Sequence, residues 1–279
     1  MVNDCRKAYN AGLFYPEDTG KLKSMIDSFI DAGSCGIKIT DVAGGVAPHA
    51  GYIYSGTTAG YFYSNLIDKK FEKVVIVSPS HYDYFKGACV YEGNCFRTPF
   101  GKIDVNVEIR DKLTYGSYHI FNGKSGHLPR HTGSAEHGIE VHLPFLQTLN
   151  KDFTLIPIVL GSQDRLTVKE LTNKLIEIYD DKTIFIASSD LSHFHQKKQA
   201  HQLDSIVVEN IDNYDPEILQ KDLESGKCEA CGGGAIVAIM AALKKLNFKN
   251  SKVVNRSDSG DINGNATSVV GYLSSIFYN

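Results

Sequence analysis

The stretch IFIASSDLSH, residues 184–193, is an apolar run that stops abruptly and then delivers an acid and an imidazole. Five consecutive residues without polar alternation suit a strand covered on both faces, as in a mainly parallel sheet. Working outward, the same kind of run recurs at VAGGVA (42–47), VVIVS (74–78), TLIPIVL (154–160) and VVGYLSSIF (269–277). Amphipathic patterns fall between these strands. PEDTGKLKSMIDSFIDAG (16–33) opens on acidic and Thr capping candidates and closes on Gly33, and TVKELTNKLIEIYDD (167–181) and GGGAIVAIMAALKKLNF (232–248) follow the same period. The alternation predicts an α/β fold, one domain over residues 1–279 with a central, mainly parallel sheet flanked by helices. The Gly-, Ser- and His-rich segment 115–134 reads as a long loop, of the length that functional lids use.

Composition narrows the function. Of 279 residues 42% are hydrophobic, enough for a large core, and the net charge is −3 with both signs scattered. No basic patch points to nucleic acid or to an anionic membrane surface. MVNDCRKAYNAGLFYP at the start has no apolar core of the secretory kind, and no apolar run approaches the ~20 residues that span a bilayer. AIVAIMAAL (235–243) reads as a buried helix, and the expected compartment is the cytoplasm. The six cysteines (5, 35, 89, 95, 228, 231) are accordingly expected to be reduced thiols, with Cys228 and Cys231 forming a lone C-x-x-C.

In open α/β sheets ligands bind beyond the carboxyl ends of the strands, so the residues that follow each strand carry the information. Pro48-His49 follows the run at 42–47, Pro79-Ser80-His81 the run at 74–78, and Ser189-Asp190-Leu191-Ser192-His193 the run at 184–188. Three strand ends that each deliver an imidazole predict one shared site. Cys231 precedes Gly232-Gly233-Gly234 and an apolar helix, where the macrodipole favours thiolate and the glycines allow close backbone approach. AEHGIEVHLPFLQ (135–147) is a helical pattern before Pro144 that could gather Glu136, His137 and Glu140 on its first turn. It lacks the order of H-E-x-x-H, and His142, five residues after His137, reads as structural. Two imidazoles and a thiolate form a metal donor set: neutral His suits Fe, Cu and Zn, and thiolate favours Zn or copper, Cu(I) above all. His193 is then the candidate acid/base, its tautomer fixed by Asp190 three residues earlier. Tyr52, Tyr54 and Tyr82 are candidates for the wall of a recognition cleft.

With these residues assembled, the chain resembles the Memo family, also called AmmeMemoRadiSam system protein B in prokaryotes. The resemblance runs end to end through AGLFYP (11–16), APHAGYIYSG (47–56), SPSHY (78–82), FGKIDVN (100–106), EHGIEVHLPFL (136–146), SSDLSHF (188–194), CGGGAI (231–236) and SGDINGNATSVVGY (259–272). It implies a fold similar to class III extradiol dioxygenases, in which two histidines and a glutamate hold Fe(II). By motif, His49 and His81 match the two histidine ligands, and Cys231 stands where those enzymes carry the glutamate. His193 matches the acid/base histidine and His137 a second pocket histidine, with Asp190 in the same motif. The implied function is binding of copper or iron, with redox or oxygen-dependent chemistry on a small molecule. A module that grips a peptide or phosphate group in the same pocket is the alternative, and zinc-dependent hydrolysis a weaker one. The resemblance also implies a functional link to AMMECR-type and radical SAM proteins.

Overall fold

The Val/Ile-rich runs are strands of one sheet in the computed structural model, which describes residues 4–129 and 135–279. The strands are β1 (Cys5–Arg6), β2 (Val42–Ala47), β3 (Lys73–Pro79), β4 (Ala88–Tyr91), β5 (Cys95–Thr98) and β6 (Gly101–Asp104). They continue with β7 (Ile120–Gly123), β8 (Thr154–Leu160), β9 (Thr183–Ser188), β10 (His193–His195), β11 (Asn250–Asp258) and β12 (Val269–Tyr278). The helices are α1 (Thr19–Ser34), α2 (Tyr52–Ser64), α3 (Val107–Thr114), α4 (Leu143–Leu149) and α5 (Arg165–Ile178). α6 (Lys197–Asp212), α7 (Pro216–Glu224), α8 (Gly233–Lys245) and α9 (Gly260–Asn263) complete the set.

The large sheet runs β10-β12-β2-β9-β3-β8-β4-β7, with β11 paired to β12. Its four central strands, β2, β9, β3 and β8, are parallel. β12 joins β2 antiparallel and β4 joins β8 antiparallel, so the sheet is parallel at its centre and mixed overall. The apolar run of β12 reflects burial, which α2 and α6 provide, and not strand direction. Side chains alternate between two cores, as a pleat demands. Val75, Val77, Phe185 and Ala187 face one core with residues of α5 and α8. Val74, Ile76, Ile184 and Ile186 face the other with residues of α1, α2 and α4. α8 is the apolar helix expected at 235–243 and is buried over almost its whole length. Among the described residues no helix is long and apolar enough to cross a membrane.

Three expectations change. The segment 115–134 is not one loop: Ile120–Gly123 forms a strand against β4, and residues 130–134 lie outside those described. The helical pattern at 135–147 resolves into a 3₁₀ turn, Glu140–His142, that leads into α4. Pro144 sits in the first turn of α4, where its missing N–H is no loss, so it starts the helix that it was expected to end. Cys5 and Cys95 are joined in a disulfide, against the expectation of six reduced thiols; β1 and β5 pair in parallel with these residues directly opposite, Cα atoms 4.5 Å apart. Cys35, Cys228 and Cys231 are thiols.

Candidate metal centre

β2, β9 and β3 end side by side, with Ala47 in register with Ser188, and this places the residues that follow them in one spot. His49 is buried, with Nε2 3.2 Å from Cys231 Sγ and Nδ1 2.7 Å from Ser188 Oγ. Burial pushes its imidazole well below the ordinary range, helped by the neighbouring His81 and His137 rings, so His49 is neutral. His81 is partly exposed, and its Nδ1 lies 2.8 Å from Glu136 Oε1. Burial pushes the His81 imidazolium down, but the Glu136 bond and charge outweigh it and the net shift is upward. Donor atoms of His49, His81 and Cys231 all lie within 4.8 Å of one another. Each histidine has a partner on its Nδ1, which leaves Nε2 as the donor. A second-sphere partner of this kind fixes ring orientation at metal sites.

Glu136, His137 and His81 are similarly close. The Glu136 carboxylate is already saturated, however. Oε1 accepts His81 Nδ1–H and the backbone N–H groups of His137 and Gly138, and Oε2 accepts the backbone N–H of His81. Burial alone would raise the Glu136 carboxyl, yet these bonds and the His81 charge hold it at about 2. Glu136 therefore acts as the orienting anion of His81. Glu140, expected nearby, is turned away and bound by Arg6, Asn10 and Tyr15.

Cys231 is fixed from two sides. Its Sγ accepts the Asp190 N–H at 3.2 Å, and its carbonyl accepts Gln163 Nε2 at 2.7 Å. Gln163 follows β8 and its Oε1 also takes the N–H of Gly234, so the fourth central strand pins the start of α8. Gly232 allows the approach, since a Cβ there would lie 2.3 Å from the Ser188 carbonyl oxygen. Burial pushes the Cys231 thiol far up, with the Asp190 carboxylate adding to it, which overrides the helix-terminus effect expected from the sequence. The group is a thiol that a cation must deprotonate, as a metal ligand is.

The remaining candidates surround this cluster. His137 stacks on Phe14 at 4.3 Å and on His81 at 4.5 Å between ring centroids. Burial pushes it down to about 4, and its Nδ1 has no hydrogen-bond partner. His193 begins β10, where a bulge against β12 puts Phe194 at φ 63° with its ring in solvent. Burial lowers the His193 pKa as well. His193 and Cys231 share the wall of a cavity of about 470 Å³, whose apolar side is Val168, Leu191, Leu223 and Val237. Asp190 does not serve His193 as the sequence suggested. Its carboxylate accepts the backbone N–H of His49 at 2.8 Å, and burial pushes it up to about 7 against that bond. Of the tyrosines, Tyr52 is in the core with its hydroxyl on the Val141 carbonyl. Tyr54 borders a separate apolar cleft beside Phe14, and Tyr82 is 45% exposed with its ring 6.1 Å from His137. The sequence offers Glu136 as a neighbour of His137 without its role toward His81, and does not single out Ser188 or Phe14 as site residues. For these two the signal is position alone: Ser188 ends a strand, and Phe14 sits within the AGLFYP motif.

Comparison with known sequences finds relatives that match this chain along nearly its whole length. The sequence model of the Memo-like protein family matches residues 6–276. A MEMO1 family protein of Methanobrevibacter smithii is 35% identical over 286 residues, covering 98% of this chain and 99% of that protein. MEMO1 family proteins of Nitrosopumilus maritimus and Thermotoga petrophila are 33% and 32% identical, over 96% and 98% of this chain and 97% and 99% of their own lengths.

Proposed function

The chain belongs to the Memo family, and on that premise we propose that it binds one copper or iron ion between His49, His81 and Cys231 for redox chemistry on a small substrate or dioxygen. The observation that carries the reading is the donor set itself: two imidazoles whose Nδ1 atoms are engaged, and a thiol 3.2 Å from one of them. Three protein donors leave coordination positions open, as in catalytic and not structural sites. The soft thiolate inclines the set toward copper, Cu(I) in particular. We read the site as the counterpart of the ligand face of class III extradiol dioxygenases, with Cys231 in the carboxylate's place, working in the cytoplasm.

A copper or iron ion held there would supply one-electron chemistry between substrate and dioxygen. The chain's own residues do the rest. Phe14, His137 and Tyr82 wall the His81 side, and the 470 Å³ cavity beside His193 admits a small, partly apolar molecule. Burial lowers the pKa of both His193 and His137, His137 the more deeply buried, so His193, on the wall of the cavity, is the ring better placed to take a proton from substrate.

Metal analysis of protein purified anaerobically and without chelators tests the reading. Near one copper or iron per chain is expected, lost in His49→Ala and Cys231→Ser, with oxygen consumption tracking metal content. Metal-free protein that holds a phosphopeptide with undiminished affinity refutes it in favour of a binding module. Stoichiometric zinc without redox activity refutes it in favour of hydrolysis.

A further inference from the structure

Ser188 closes β9 with its side chain fully buried, and three groups converge on its hydroxyl. Oγ lies 2.5 Å from the Gly138 carbonyl oxygen, 2.7 Å from His49 Nδ1 and 2.9 Å from His142 Nε2. A serine hydroxyl has one hydrogen and two lone pairs. A carbonyl oxygen can only accept, so the single hydrogen goes to Gly138. Both imidazole nitrogens must then donate, one to each lone pair. The far end of the chain agrees: Tyr63 O–H donates to His142 Nδ1 at 2.7 Å, which leaves the hydrogen of neutral His142 on Nε2.

The count leaves one arrangement for the ring that faces the thiol. His49 carries its hydrogen on Nδ1, and Nε2 presents a lone pair toward Cys231. If the Ser188 hydrogen turned to His49 instead, the ring would hold its hydrogen on Nε2, where no metal could bind. The buried Gly138 carbonyl would also lose its donor. We propose that Ser188 is a positioning residue that locks His49 in its Nδ1–H form and so keeps the Nε2 lone pair open toward the metal position. His142 and Tyr63 back the lock from behind. Glycine is needed at 138 for its carbonyl to reach this hydroxyl, since a Cβ there would meet Ser78 Oγ at 2.1 Å and His49 Nδ1 at 3.3 Å.

The consequence for affinity rests on the metal-centre reading; the tautomer is a property of the metal-free chain. Two measurements keep these apart. Long-range ¹H–¹⁵N spectra of histidine-labelled, metal-free protein report which nitrogen of His49 is protonated, and titration with Cu(I) against a competing chelator reports affinity. The wild-type ring is expected to show protonated Nδ1 and bare Nε2. Ser188→Ala is expected to show a mixture of tautomers and Cu(I) affinity about 10–100-fold weaker, the usual effect of losing an outer partner. Ser188→Thr, which keeps the hydroxyl, is expected to restore the wild-type ring pattern. A wild-type His49 protonated on Nε2 overturns the proposal even where no variant folds, and so does Ser188→Ala with an unchanged ring pattern. A wild-type ring of the expected form in a chain that does not bind Cu(I) upholds the lock and overturns the metal reading.

Discussion

His127 should make the protein acid-sensitive well above the range of its carboxylates. The ring is fully buried, donates Nε2–H to the Cys89 carbonyl at 2.9 Å, and packs against Tyr91. Burial and the nearby Arg6 guanidinium push it from 6.5 down to about 3, despite the bond to Cys89. In the unfolded chain the same group protonates near 6.5, so below that pH the unfolded state binds one more proton than the folded state. The stability it contributes is present in full above pH 6.5 and is lost progressively as pH falls toward 3. At pH 5 one such group costs about 2 kcal/mol relative to pH 7.5, and the slope there is about 1.4 kcal/mol per pH unit. His127→Gln keeps a donor for Cys89 and removes the titration. Urea unfolding of both proteins at pH 7.5, 6 and 5 is the assay. The wild type should lose about 2 kcal/mol more than the variant over that range. Parallel pH profiles would show that His127 titrates equally in both states, and would refute the argument.

Arg6 and Glu140 form a fully buried ion pair, and Arg6 also donates to the carbonyls of His127 and Glu136. Arg6→Met strands the carboxylate and should cost about 3–5 kcal/mol by chemical denaturation, with part of the loss recovered on adding Glu140→Gln. Glu136→Gln sets an amide NH2 against backbone N–H groups that the carboxylate now accepts, and should weaken metal binding about 10–100-fold in chelator competition at a cost of about 1–3 kcal/mol in stability by chemical denaturation. Gly232→Ala drives a methyl to 2.3 Å from the Ser188 backbone; a loss of about 1–3 kcal/mol in stability, together with weaker metal binding, is the expected outcome of calorimetry and titration.

Much of this was legible because strand ends announce themselves. The runs at 42–47, 74–78 and 184–188 break at Pro48, Pro79 and Ser189, and His49 and His81 lie just past the first two breaks. What stayed hidden depends on neighbours that spacing does not reveal. Asp190 and His193 look paired along the chain, yet the carboxylate turns to the backbone of His49, 141 residues away. Ser188 reads as the tail of a strand until its three hydrogen-bond partners are seen. Cys5 and Cys95, 90 residues apart, are brought opposite by a short parallel ladder that leaves no periodic trace. An apolar run likewise reports that both faces are covered, and so could not show that β12 runs antiparallel.

The order of the central strands explains why the donors and their partners differ in kind. β9 lies between β2 and β3, and the two histidine-bearing strands therefore flank one whose end carries no metal donor. Its terminal side chain points into the deepest part of the site, next to the fully buried ring of His49. A carboxylate there would bury an unpaired charge, and a hydroxyl satisfied by a carbonyl avoids that cost. His81, on the outer side, is partly exposed, and its partner is the charged Glu136, stabilised by three backbone N–H groups. β8, the next strand out, sends Gln163 to hold the turn that carries Cys231. Each of the four parallel strands thus places a group of the cluster at or just past its carboxyl end, two of them the candidate donors His49 and His81 and two the supports Ser188 and Gln163. Reversing any one of them would break the set, which gives a functional reason for the sheet to be parallel here and free to be antiparallel at its edges.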